Sequence, residues 1–369
     1  MQNYPEPTDL TKLKVSPLAT RAHKSTLRDI LVEPTTMPER CPSHTMDSIF
    51  ECAEKIKKAR QKKASVILMY GAHLIKNGGQ LLVNHLVDAG FVTHIATNGA
   101  GTIHDWEFSY IGKSTEDVRA NVATGTFGAW DETGRYIMLA LLAGGINGDG
   151  YGKSLGKFIQ QDGLFLPSKD ELIKKITENP CDPLNAARMD LLYAMERFNI
   201  KSGHHIVTHP YRNVSVLGHA FLKNIPFSVH PGIGYDIITV HPMYNGAVVG
   251  RAAYVDFRLI CKAIENLDDG VVMCIGSAVM APQVFEKAMS CVNNLRLQEG
   301  KPVVSGHSIY VVDLQDGGQW DWTKGEPPKD SPAYYLRFCK SFSRMGGAMH
   351  YIQCDNILFL HNLYHQLMK

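Results

Sequence analysis

Several common signatures are missing from this chain, and each absence closes off a class of function. No apolar run approaches the ~20 residues that a membrane-spanning helix needs. The opening Met1-Gln2-Asn3-Tyr4-Pro5 has neither the basic nor the apolar stretch of a secretory leader. The eight cysteines are scattered without one Cys-x-x-Cys pair, which argues against a zinc ribbon or a thioredoxin-like redox motif. A reducing, cytoplasmic location with mostly inert thiols is therefore expected. An excess of one charge is lacking too. With 38 basic and 36 acidic residues the net charge is only +2, and no basic face is concentrated enough to suggest nucleic acid or a membrane surface. Finally, neither a P-loop nor Gly-x-Gly-x-x-Gly with an acid about 20 residues on follows the first apolar run. Gly99-Ala100-Gly101 lacks the third glycine.

What is present is an ordinary globular composition, 44% hydrophobic, enough for a sizeable core in a chain of 369 residues. Residues 1–45 are rich in Pro, Thr and charge and show no sustained period. They read as an N-terminal arm that wraps a neighbour or the body of its own domain. From Ser43 to Lys63 apolar residues recur at helical spacing, and the cations that end this stretch suit a helix C-terminus. Short apolar runs then alternate with helical stretches. The runs are 65–70, 92–97, 203–208, 227–229, 271–275, 309–313 and 350–354. Helices are expected at 80–89, 182–198, 251–266, 281–295 and 331–344. Continuous apolar strands separated by helices imply an α/β fold: a doubly wound, mostly parallel, Rossmann-like sheet in a single large domain over residues 46–369. Residues 108–166 carry too many glycines for regular structure throughout and read as an excursion from that plan.

Ligands of such sheets bind beyond the carboxyl ends of the strands. The residues just after the apolar runs are polar and glycine-rich: Gly71-Ala72-His73, Thr97-Asn98-Gly99-Ala100-Gly101, His230 through Asp236, Gly276-Ser277 and Asp355. Glycines let a backbone approach a phosphate, so these turns are candidate cofactor contacts. His104, Asp105 and Glu107 directly follow one of them and are suited to holding ribose hydroxyls, binding a cation or moving protons. As helix N-terminal acids they would also simply complement the dipole. His230, Asp236 and His241 include metal-ligand types, but they are spread around two proline turns, so no metal is expected.

The turns Gly71-Ala72-His73-Leu74-Ile75-Lys76-Asn77-Gly78 and Thr97 through Asp105 resemble the first two nucleotide loops of deoxyhypusine synthase. Pro231 through Asp236 is similar to that family's substrate loop, Ile275 through Val279 to its later glycine-rich loop, and Asp355 to its cofactor-contacting aspartate. The similarity runs in order from about Ser43 to the C-terminus. It implies a Rossmann-like fold, bound NAD, and a homotetramer with sites shared between paired subunits. In the family, NAD oxidises spermidine and an enzyme lysine carries the aminobutyl group as an imine to a protein lysine. By matched position, Thr97, Ala100, Gly101 and Asp355 would contact NAD, with Asp105 or Glu107 near the nicotinamide ribose and Asp236 facing the amine.

Two departures alter the expected reaction. The segment matching the family's nucleophile is Tyr335-Leu336-Arg337, and arginine stays protonated and cannot form an imine. The family's later histidine pair falls on Pro282-Gln283. An NAD-dependent enzyme acting on a small cationic amine or amino acid, without the lysine-imine step, is therefore expected. Asp236 and Glu107 would anchor the ammonium, His104 or His230 would act as base, and Arg337 would bind a carboxylate. The alternatives are a genuine deoxyhypusine synthase using Lys324, Lys329 or Lys340, and a non-catalytic NAD-binding protein.

Overall fold

A computed structural model describes residues 4–318 and 320–369. Six strands form the main sheet: β1 (Val66–Tyr70), β2 (His94–Asn98), β3 (Phe227–His230), β4 (Val271–Ile275), β5 (Ser308–Asp313) and β6 (Ala348–Gln353). The principal helices are α1 (Ser43–Gln61), α2 (Gln80–Asp88), α3 (Gly99–Ile111), α4 (Asp131–Gly145), α5 (Tyr151–Gln160), α6 (Val216–Leu222), α7 (Gly246–Glu265), α8 (Met280–Gln298) and α9 (Asn356–Leu367). Every pairing in the sheet is parallel, and the strand order is β3-β2-β1-β4-β5-β6. That is the order of the dinucleotide-binding doubly wound fold, whose direction of winding reverses between β1 and β4.

The runs are continuously apolar because both faces of each strand are covered. Along β1, Val66, Leu68 and Tyr70 enter one core with Ile49 and Cys52 of α1, while Ile67 and Met69 enter the other with Phe285 and Ala288 of α8. The strands β2, β4, β5 and β6 likewise feed two cores through their period of two, whereas β3 at the sheet edge gives Phe227 and Val229 to the first core alone.

Three sequence expectations change. Gly203–Ile206 is a strand, but it pairs antiparallel with Gly163–Leu166 in a separate two-stranded ribbon. Its residues are at most half-buried, so it has no place in a sheet covered on both faces. The glycine-rich stretch 108–166 is largely helical rather than irregular. Two of its glycines sit inside α5 for closeness of packing: a Cβ on Gly152 would lie 2.1 Å from the Phe227 carbonyl oxygen, and one on Gly156 would lie 2.5 Å from that of Leu217. Expected helix 331–344 is a 3-10 turn, Pro332–Tyr335, followed by the short helix Arg337–Ser343.

The N-terminal segment lies along its own domain. Ser16 N–H donates to the Ala129 carbonyl, Leu27 N–H to Gly112 and Val32 N–H to Gly78, while Asn362 donates to the Glu39 carbonyl. Among the described residues no helix is long and apolar enough to cross a membrane.

Candidate functional site

The turns that leave β1, β2 and β3 converge on a cavity of about 340 Å³, within the size range of small-molecule sites. Its lining includes Lys76 after β1, Asn98, Ala100, His104 and Glu107 on β2–α3, and Tyr235 and Asp236 after β3. Arg21 of the N-terminal segment closes one side. A larger hollow of about 590 Å³ lies beside α4, away from these strand ends; of the charges that line it, Arg135 and Asp131 pair with each other and Lys201 donates to Asn199 Oδ1.

The α3 helix builds most of the site. Asn98 caps it, its side chain accepting from Gly101 N–H at 2.9 Å, and this fixes the turn that presents His104 and Glu107 one helical turn apart. Glu107 is 1% exposed and fully engaged. Arg21 donates to both carboxylate oxygens, at 2.9 and 2.5 Å, Thr133 donates at 2.8 Å and Ser114 at 2.5 Å. Burial would raise its pKa, but the Arg21 charge and hydrogen bonds hold it below the ordinary value, so Glu107 is ionised.

This network fixes the form of His104. The single Ser114 hydroxyl hydrogen goes to Glu107, so the 2.7 Å contact between His104 Nδ1 and Ser114 Oγ requires the hydrogen on Nδ1. His104 Nε2 is left as the nitrogen with the lone pair. Burial pushes the imidazole pKa down to about 4, so the ring is neutral at physiological pH.

Asp236 has a different environment. It is 4% exposed, and a Cβ on Gly99 would lie 1.9 Å from its Oδ2, so only glycine at the start of α3 leaves room for the carboxylate. It accepts one hydrogen bond, from Gly232 N–H at 2.9 Å, and no cation pairs with it among the described residues. Burial raises its pKa to about 6, still ionised at neutral pH. The cavity therefore holds a neutral histidine and an anionic carboxylate whose pKa values lie in the opposite order to that of the free side chains.

Other expected residues lie elsewhere or are committed to structure. Asp105, buried, caps α6, accepting from Ser215 Oγ and from the Val216 and Leu217 N–H groups at 2.6 to 3.0 Å. The Thr97 hydroxyl donates to the Tyr70 carbonyl beneath Gly101 and is fully buried. His230, buried and held neutral, is hydrogen-bonded to Ser228 Oγ, which also meets His94. It does not line the cavity. Arg337 is exposed on a short helix packed against β6, outside the cavity. None of Lys324, Lys329 and Lys340 lines the cavity; Lys340 sits over the Tyr334 ring and Lys324 beside Asp321. Among the described residues no group of three or more His, Cys, Asp and Glu is gathered to hold a metal; His241 meets Asp131 at 3.4 Å instead.

At the β1–β4 junction two glycines meet. A Cβ on Gly71 would lie 2.0 Å from the Gly276 carbonyl oxygen, and one on Gly276, at φ +59°, would lie 2.3 Å from Asn356 Nδ2. Asn356 is nine-tenths buried and its Oδ1 has no partner. Ser277 is buried beside it, its Oγ accepting from Ala281 N–H at 3.3 Å. Asp355 caps α9 through one oxygen. Ala72 and His73 open the helix after β1, with His73 exposed. Glycines that bring two strand ends together at the reversal point, with an orphaned buried acceptor over them, fit a dinucleotide, whose amino and hydroxyl groups supply donors.

Sequence reasoning gave no role to Arg21, Ser114, Thr133 or Lys76. The first comes from the segment without periodicity, and Ser114 and Thr133 from the glycine-rich stretch. No local pattern could mark these three, whereas Lys76 lies in the turn after β1 that the sequence did single out.

No family model and no curated protein matches the chain. Among solved structures it is similar to the ternary complex of AgrE with ornithine and NAD+, at 15% identity and TM-score 0.43, over 90% of this chain and 34% of that one. It is also similar to apo ArgZ, an arginine dihydrolase from the ornithine-ammonia cycle in cyanobacteria, at 15% identity and TM-score 0.43, over 87% and 32%. A third is a protein assigned as deoxyhypusine synthase from Entamoeba histolytica, at 12% identity and TM-score 0.37, over 89% of each chain. The chain spans about a third of the length of AgrE and ArgZ.

Proposed function

We propose that this chain is an NAD-dependent enzyme that oxidises a small amine or amino acid in the cavity over the ends of β1, β2 and β3. One observation carries the reading: a neutral histidine with an open Nε2 and an ionised carboxylate without a cation line the same cavity. Asp236 would hold the substrate ammonium. His104 Nε2 would take a proton from the nitrogen, and the resulting imidazolium would be stabilised by Glu107 through Ser114. Arg21 keeps Glu107 ionised and so acts at one remove. The backbone of Gly71–His73, Asn98–Gly101 and Gly276–Ser277 would hold NAD, with Asp355 and Asn356 near its hydroxyl or amino groups. Bound NAD supplies the hydride acceptor.

The test is to denature purified protein, identify any released nucleotide by mass, and titrate NAD in a thermal-shift assay. Amino acids and amines are then screened for NADH formation. Retained NAD or a clear shift, with substrate-dependent NADH that Asp236→Asn abolishes while NAD binding persists, is the expected result. NAD binding with no turnover of any amine would favour a regulatory protein, and no NAD binding would defeat the reading.

A further inference from the structure

The proposed function leaves two substrate classes open, amines and amino acids, and gives no role to Lys76, which lines the same cavity. Charges around the cavity mostly cancel or are locked in place. Arg21 is spent on Glu107 through two hydrogen bonds. Glu116 accepts from Trp130 Nε1 at 2.9 Å, Asn121 Nδ2 at 2.6 Å and Gly128 N–H at 3.2 Å. Three charges lining the cavity have no ionic partner among the described residues: Glu116, whose carboxylate is taken up by those three neutral donors, Asp236, which accepts a single hydrogen bond, and the ammonium of Lys76. Lys76 is half-buried and makes no side-chain hydrogen bond among the described residues.

The structural explanation for this lysine is weak. It stands in the last turn of Ala72–Lys76, where a cation complements carbonyls. However, Asn77 N–H already bonds the His73 carbonyl at 3.0 Å and Gly78 N–H that of Ile75 at 3.1 Å. A five-residue helix also has little dipole to complement. Its charge is felt in the cavity, since it helps to hold the His104 imidazole neutral, after the larger effect of burial.

We infer that Lys76 binds the carboxylate of an amino-acid substrate whose ammonium group is held by Asp236. The inference rests on the reading of the cavity as an amine-oxidising site. With the Glu116 oxygens engaged by Trp130, Asn121 and Gly128, the anion of Asp236 and the cation of Lys76 are the two charges left to a ligand, and together they complement a zwitterion. A polyamine would meet Asp236 favourably but would bring a second cation towards Lys76, and like charges brought together in one small cavity repel. Lys76 is a specificity-determining residue in this scheme: it addresses the carboxylate, while Asp236 addresses the ammonium and His104 Nε2 takes the proton. Arg337, the carboxylate partner expected from sequence, lies outside the cavity.

The experiment compares wild type with Lys76→Met, which removes the charge and keeps the apolar stem, and with Lys76→Arg. Ligands are the common amino acids and ornithine, each paired with its decarboxylated amine. Binding is measured by calorimetry in the presence of NAD, beside NAD affinity itself. Wild type should bind at least one amino acid tighter than its amine. Lys76→Met should weaken the amino acid roughly 10- to 100-fold, as for loss of a charge-assisted hydrogen bond, while a monoamine and NAD change little and the diamine from ornithine is not weakened. Lys76→Arg should restore much of the loss. Equal weakening of amino acid and amine, preference for the amine, or binding of no amino acid while NAD still binds would overturn the role of Lys76 and leave the cofactor assignment standing. Loss of NAD binding in wild type would instead defeat the underlying reading.

Discussion

Replacing Asp236 by asparagine should make the protein more stable and inactive. The carboxylate is 4% exposed, and burial raises its pKa from 3.8 to about 6. A shift of about two units, at about 1.4 kcal/mol each, means that ionised Asp236 costs on the order of 3 kcal/mol of folding free energy at neutral pH. Because the folded-state pKa is raised, that cost is full above about pH 6, fades between about 6 and 3.8, and is absent below. Asparagine keeps an oxygen to accept from Gly232 N–H and removes the charge. Unfolding entropy of about 2.1 cal/mol/K per residue over 369 residues gives ~0.8 kcal/mol/K, so the gain should appear as a rise of ~4 °C in Tm at pH 8. Differential scanning calorimetry at pH 8 and pH 4 checks it, beside NADH formation with the substrate found by screening. A stabilisation at pH 8 that disappears at pH 4, with turnover lost, is expected. A lower Tm at pH 8, or an equal gain at both pH values, would show that the carboxylate is not held in a desolvating site.

Four further outcomes follow from the geometry. The Kd of the substrate should rise about tenfold per pH unit below about 6, as Asp236 takes up a proton, and this dependence should be missing from the weaker binding of Asp236→Asn, as calorimetric titration in the presence of NAD will show. Arg21→Ala leaves the buried Glu107 without its cation and should cost roughly 3–5 kcal/mol in urea unfolding, whereas Arg21→Met with Glu107→Met should cost less than Arg21→Ala alone. In Gly99→Ala the new methyl collides with Asp236 Oδ2, so turnover should fall at least ~10-fold while the circular dichroism spectrum stays native; unchanged turnover would mean that Asp236 is free to move. Cys41 and Cys354, with sulfurs 3.8 Å apart, should form a disulfide with diamide, seen as loss of two hydrogens in intact mass and absent in Cys41→Ser.

The sequence by itself determined the layered architecture, because strand burial on two faces and helix burial on one leave periods that need no knowledge of the partner. The runs at 65–70, 92–97, 271–275 and 309–313 became the central strands β1, β2, β4 and β5, and Asn98–Gly101 lies at the carboxyl end of β2, where ligands of this fold gather. Glycine-rich turns and the polar residues Asp236 and His104 were legible for the same reason. Period alone could not say which apolar run joins which sheet, so Gly203–Ile206 looked like a sheet strand until its exposure and antiparallel pairing with Gly163–Leu166 were seen. Nor could it separate a loop glycine from one that lets α5 press against β3. The division of labour among the charged side chains was decided only by tertiary structure. Glu107 and Asp236 are both buried carboxylates, but Arg21, 86 residues from Glu107 in sequence, neutralises one and leaves the other open. Charge, desolvation and hydrogen bonding act through space over a few ångströms. A residue's chemistry is therefore set by neighbours that the chain order does not reveal.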